Sequence, residues 1–159
     1  MVQVEINPQF DDYASLLALL HKSFAYMEGR IDPPSSLHSF DLDKLREKAN
    51  AETLLTAMDS ERLAGCLFVR QKADSLYLGK LAVDNAMRGK GIARQLIDVA
   101  NLIGNQWSCR SLEVETRVEL TENQQFFAHL GFEKVAENAH EGFARPTSYT
   151  YRRSISLDI

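Results

Sequence analysis

Little in this sequence of 159 residues invites metal, disulfide or membrane chemistry. There are two cysteines, Cys66 and Cys109, and neither lies in a CxxC pair. That excludes a disulfide framework and a paired thiolate site, and both read as small, reduced core residues. His21, His38, His129 and His140 lack metal-ligand spacing, so no metal is expected. The formal net charge is −4 and the pI about 5.6, which argues against a broad nucleic-acid face. No apolar run reaches the roughly 18 residues that cross a bilayer, and no leader-like segment opens the chain. The expectation is a cytoplasmic chain with neither membrane nor nucleic acid as partner. Repeats, low-complexity tracts and interdomain linkers are also missing, so residues 1–159 are expected to form one domain.

Two phosphate-loop signatures are missing as well. No GxxxxGK run is followed by Ser or Thr, and Arg94 stands where a dinucleotide-binding turn needs its third glycine. What the chain does carry is Leu76 to Ala100, LYLGKLAVDNAMRGKGIARQLIDVA. Leu76, Leu78, Leu81 and Val83 mark a mostly buried strand, and Ile92, Leu96, Val99 and Ile103 mark one helix face. Between them, Arg88, Gly89, Lys90 and Gly91 put two glycines and two cations at a helix start. Free N–H groups and the helix dipole make such a start an anion site; an ordinary glycine turn is the plainer alternative.

The remaining pattern is equally regular. Val2, Val4 and Ile6 alternate as a first strand that Asn7-Pro8 ends. Asp11 and Asp12 precede a helix with an apolar face of Tyr13, Leu16, Leu17, Leu20 and Phe24. Residues 26–40 form a long loop rich in Gly, Pro and Ser, and Asp41 caps a helix from Leu42 to Asn50. Thr53–Met58 and Leu63–Arg70 read as a hairpin, with Gly65 predicting a bulge or close packing. A fifth strand covers Leu112–Thr116, a helix starts at Thr121 and stops at Gly131, and strands follow at Phe132–Val135 and Ser148–Ile155. Such a mixture of hairpins and crossovers indicates a mixed α/β sheet.

The central stretch resembles the acyl-coenzyme A loop of the GNAT superfamily of N-acetyltransferases, (Q/R)xxGx(G/A), written here Arg88-Gly89-Lys90-Gly91-Ile92-Ala93. The preceding LAVDN is close to the family's LAVxP. Downstream, Asn123 to Phe132 resembles its Asn…Tyr-xxx-Gly-Phe segment, except that Phe127 stands at the tyrosine position. The resemblance covers nearly the whole chain. It implies a mixed, mostly antiparallel sheet flanked by helices, with the fourth and fifth strands splayed. It implies acetyl-CoA as co-substrate, held by Leu81, Ala82 and Val83, by residues 88–93, and by Asn123, Phe126 and Phe127. The function implied is transfer of an acetyl group to a primary amine of a small molecule, peptide or protein, by direct attack in a ternary complex. The loop at 26–40 then walls the acceptor site, with Arg30, Asp32 and Ser35 as candidate contacts. GNAT domains often dimerise, so a homodimer stays open.

A lysine-like amine must lose a proton first, which costs roughly 4.6 kcal/mol at pH 7. Glu113 and Glu115 share one strand face. Glu115, nearer the strand's C-terminal end, is the first candidate base and Glu113 the second; two carboxylates capping a solvated sheet end are the alternative. With no hydroxyl at Phe127, water or another hydroxyl must protonate the leaving thiolate, and Tyr149 and Tyr151 are the late-strand candidates, Tyr149 first. The loss of that hydroxyl also keeps open a non-catalytic acyl-CoA-binding or sensing module.

Overall fold

A computed structural model describes residues 1–6 and 9–155, so the Asn7-Pro8 strand end lies outside the described residues. The strands are β1 (Val2–Ile6), β2 (Thr53–Asp59), β3 (Arg62–Lys72), β4 (Ser75–Val83), β5 (Ser111–Arg117), β6 (Glu133–Asn138) and β7 (Ser148–Ser154). The helices are α1 (Tyr13–Phe24), α2 (Leu42–Ala51), α3 (Ile92–Gln106) and α4 (Thr121–His129). They build one seven-stranded sheet of order β1-β2-β3-β4-β5-β7-β6. Every neighbouring pair is antiparallel except β4 and β5, which are parallel.

Side-chain polarity sorts the helices onto the two sheet faces. Leu16, Leu20 and Leu45 of α1 and α2 pack with Leu54, Cys66, Phe68 and Ala82 on one face. Ile92, Leu96, Ile97, Ala100 and Ile103 of α3 pack with Leu55, Leu67, Leu76, Leu78, Leu112 and Val114 on the other. Phe127 and Leu130 of α4 join that second cluster. The helix starts follow from capping. Asp12 Oδ1 accepts from the Ser15 N–H at 3.2 Å, and Asp41 Oδ1 from the Lys44 N–H at 2.9 Å. Gly65 satisfies both readings of its role. Ala64 bulges opposite Ala57 and Met58, and a Cβ at Gly65 would meet the Ala82 carbonyl at 2.9 Å.

Two irregularities position the site. β4 and β5 pair over only three rungs, Ser75↔Ser111, Leu76↔Leu112 and Tyr77↔Glu113. β4 then runs on to Val83 and β5 to Arg117 without pairing, so the two strands part. Within the parted stretch β4 shifts register against β3, between Cys66↔Ala82 and Phe68↔Gly79. Lys80 sits there in the left-handed region at φ 54. The bulge changes which residues face α3: Leu76 and Leu78 before it, Leu81 and Val83 after it.

Candidate active site

The parted strands open a cleft of about 740 Å³. Leu78 and residues 80–83 form one wall and Val114, Glu115 and Thr116 the other. The start of α3 closes one end, and Asn123, Phe126 and Phe127 of α4 line it with Tyr26 and Arg30 of the long loop. Leu81, Ala82, Val83, Arg88, Gly89, Gly91, Ile92, Ala93, Asn123, Phe126 and Phe127 thus line one cleft. Lys90 does not. It is exposed and outside the lining, whereas Arg94, in the first turn of α3, lines the cleft as Arg88 does.

The geometry suits a polyanion with an extended arm. Gly91 precedes α3 at φ 75 and ψ 17, and no side chain caps the helix. The N–H groups of the first helical turn have no partner within the helix. Nothing lies within 4 Å of a Cβ built on Gly89 or Gly91, so this corner is open. Beyond Tyr77, the edge of β4 that faces β5 has no strand beside it. Across the cleft, Thr116 Oγ1 is buried without a hydrogen-bond partner. An anion cradle, a free strand edge and an unpartnered hydroxyl fit a pyrophosphate carrying an amide-containing arm. The Val83 carbonyl already accepts from Ser23 Oγ at 3.2 Å.

The acid–base candidates separate. Glu115 lines the cleft just past the last paired rung and is exposed. Ser148 Oγ donates to its Oε2 at 3.3 Å. Burial, with the Glu115 carboxylate next in effect, pushes the neighbouring Tyr77 phenol up to about 12. Glu113 is 1% exposed and lies outside the cleft. Its two oxygens accept from Lys72 and Arg152, each at 2.9 Å. Burial raises its pKa, but those two cations outweigh burial, and the net shift is downward. Its role as second base gives way to a structural one. Tyr149 pairs across the strands with Thr116 but does not line the cleft itself, and Lys134 Nζ lies 3.8 Å from its ring centroid. Its place outside the lining takes it away from the leaving-group role that the resemblance suggests.

The loop at 26–40 crosses the cleft mouth. Arg30 Nη2 donates to both Glu122 oxygens at 2.8 and 2.9 Å. Arg145 Nη2 donates to Asp32 Oδ2 at 3.2 Å, and Arg117 to the Pro33 and Pro34 carbonyls at 2.7 and 3.2 Å. Asp32 and Ser35 therefore fix the loop instead of lining the cleft, Ser35 by accepting from the Leu37 N–H. Lys80 Nζ donates to Ser36 Oγ at 3.2 Å, and burial, reinforced by Lys48, lowers its pKa. Tyr26, Lys80, Arg94 and Thr116 all escaped the sequence reading. Only Tyr26, an aromatic opening a polar loop, left a signal there. Burial pushes the Cys66 thiol up to about 12, which leaves it inert in the core. Among the described residues no group of His, Cys, Asp and Glu could hold a metal ion, and no helix is long and apolar enough to cross a membrane.

A mixed sheet that parts around a helix N-terminus defines the class, an acyltransferase fold of the GNAT type. The model of the acetyltransferase (GNAT) domain matches residues 50–134, which include β4, the glycine turn and α4. The chain belongs to that family. Solved structures agree over nearly its full length. A protein assigned to the GNAT family from Desulfovibrio desulfuricans is 16% identical, with a TM-score of 0.78 over 98% of this chain and 100% of that one. A GNAT acetyltransferase from Staphylococcus aureus is 15% identical, with a TM-score of 0.73 over 98% and 100%. The PaiA N-acetyltransferase from Thermoplasma acidophilum, solved with coenzyme A, is 15% identical, with a TM-score of 0.75 over 97% and 99%.

Proposed function

We propose that this chain acts as a single catalytic domain that moves an acetyl group from acetyl-CoA to a primary amine, both substrates being bound together. The observation that carries the reading is the junction of the parted β4–β5 edge with the uncapped start of α3 in one cleft. Acetyl-CoA, when bound, supplies an acyl carbon activated as a thioester. The α3 start would hold its pyrophosphate through backbone N–H groups, with Arg88 and Arg94 adding charge. The free edge of β4 would bond the pantetheine amides, and a backbone N–H at Leu81 would polarise the acyl carbonyl. Glu115, with one oxygen steadied by Ser148, would accept the amine proton. Arg30 and Tyr26 of the long loop, which line the same cleft, would face the acceptor.

The test is calorimetry with coenzyme A, followed by release of free thiol from acetyl-CoA across a panel of small amines and peptides. Binding with amine-dependent thiol release supports the reading. Binding without turnover on any amine favours a non-catalytic acyl-CoA module, and no binding at all refutes both.

A further inference from the structure

Phe127 has no proton to give, and its ring is committed to an edge contact with Phe132 at 5.4 Å. Three hydroxyls line the cleft among the described residues: Ser23, Tyr26 and Thr116. Ser23 already donates to the Val83 carbonyl. Thr116 and Tyr26 remain, and a phenol is a far stronger acid than an aliphatic alcohol.

The contacts of Tyr26 hold its hydroxyl at the cleft. Asn123 Nδ2 donates to the Tyr26 oxygen at 2.9 Å, and the Tyr26 hydroxyl donates to Asn123 Oδ1 at 3.3 Å. The phenol accepts through the shorter contact and donates through the longer, weaker one, so its proton has only to leave Asn123 Oδ1 to turn into the cleft. The same amide would stabilise the negative oxygen left after that proton departs. The Arg30 guanidinium lies 5.8 Å from the Tyr26 ring centroid, held by Glu122. Asn123 and Phe127 are four residues apart on α4 and share one face. Tyr26 therefore reaches, from across the cleft, the face of α4 on which the family places its tyrosine.

We propose that Tyr26 is the general acid of this cleft, with Asn123 and Arg30 as its positioning residues. The proposal rests on the acyl-CoA reading above. As the amine nitrogen bonds to the acyl carbon, the C–S bond breaks and its electron pair goes to sulfur. Tyr26 gives its hydroxyl proton to that sulfur, Glu115 takes the amine proton, and exchange with water restores both side chains. The net change is thioester and amine to amide and thiol.

Desulfo-coenzyme A, which lacks the sulfur, separates this role from mere packing. The wild type should bind coenzyme A about three- to tenfold more tightly than the desulfo analogue, and Tyr26→Phe should lose that preference. With acetyl-CoA and an amine from the panel, Tyr26→Phe should lower kcat about ten- to a hundredfold, the low end for general acids because a thiolate leaves readily. Adding Phe127→Tyr to Tyr26→Phe should restore at least part of that loss. If Tyr26→Phe stays folded but keeps the sulfur preference and kcat, the proposal is overturned. Equal weakening of both ligands without rescue by Phe127→Tyr overturns it too, by reducing Tyr26 to a support for Asn123. Loss of preference and kcat in Thr116→Val instead of Tyr26→Phe assigns the acid to Thr116. A wild type that binds neither ligand refutes the acyl-CoA reading as well.

Discussion

Replacing Gly91 by valine isolates the helix start from the rest of the cleft. Gly91 sits at φ 75 and ψ 17, the left-handed region. An L-residue there costs about 1–2 kcal/mol, and a β-branched one lies at the upper end. A Cβ at this position has nothing within 4 Å, so packing adds no further penalty. If the turn is kept, stability should fall by about 2 kcal/mol, a drop in Tm of roughly 4–8 °C at this chain length. The isopropyl group then stands in the open corner where the pyrophosphate is proposed to sit. If the turn relaxes instead, the amides of 91–94 are re-aimed. Either way coenzyme A affinity should fall at least tenfold, about 1.4 kcal/mol, in calorimetry. Gly91→Asn should recover most of the stability, because asparagine tolerates the left-handed region. A folded Gly91→Val protein with wild-type affinity refutes the assignment of the α3 start as the anion site.

Glu115→Gln should lower turnover by about 10²–10⁴-fold and leave coenzyme A affinity unchanged in calorimetry; wild-type kinetics would remove Glu115 as the base. Glu113→Gln should leave turnover intact but cost about 2 kcal/mol near pH 7 in denaturant melts, since it breaks hydrogen bonds to two cations. Because the folded pKa of Glu113 is depressed, its contribution is present above the unfolded value near 4.3 and is lost as pH falls through the folded value. The gap between wild type and Glu113→Gln should therefore close in acid; a gap independent of pH contradicts the ion-pair account. Tyr149→Phe should keep kcat near wild type, since Lys134 covers that ring outside the cleft; a tenfold loss would return Tyr149 to the chemistry.

Periodicity made the elements legible. The apolar spacing of Ile92, Leu96 and Ile103 marks the buried face of α3, and Asp12 and Asp41 mark two helix starts where the structure has them. The glycine turn was readable because a left-handed residue before a helix needs glycine. Side-chain pairing was harder to read. Glu113 and Glu115 share a strand face, but only tertiary structure brings Lys72 and Arg152 to the first and leaves the second open. The bulge at Lys80 left no local signal, since a lysine at positive φ is imposed by the register between β3 and β4. Tyr26 and Asn123 are 97 residues apart in sequence, a separation no local pattern can bridge.

Hydrogen–deuterium exchange with and without coenzyme A tests the central claim most directly, because it locates binding without needing the acceptor. Saturating coenzyme A should slow exchange at the backbone amides of 78–83 and 88–94, with β1 and β2 unchanged. Protection confined to other segments, or none at saturation, would contradict the account.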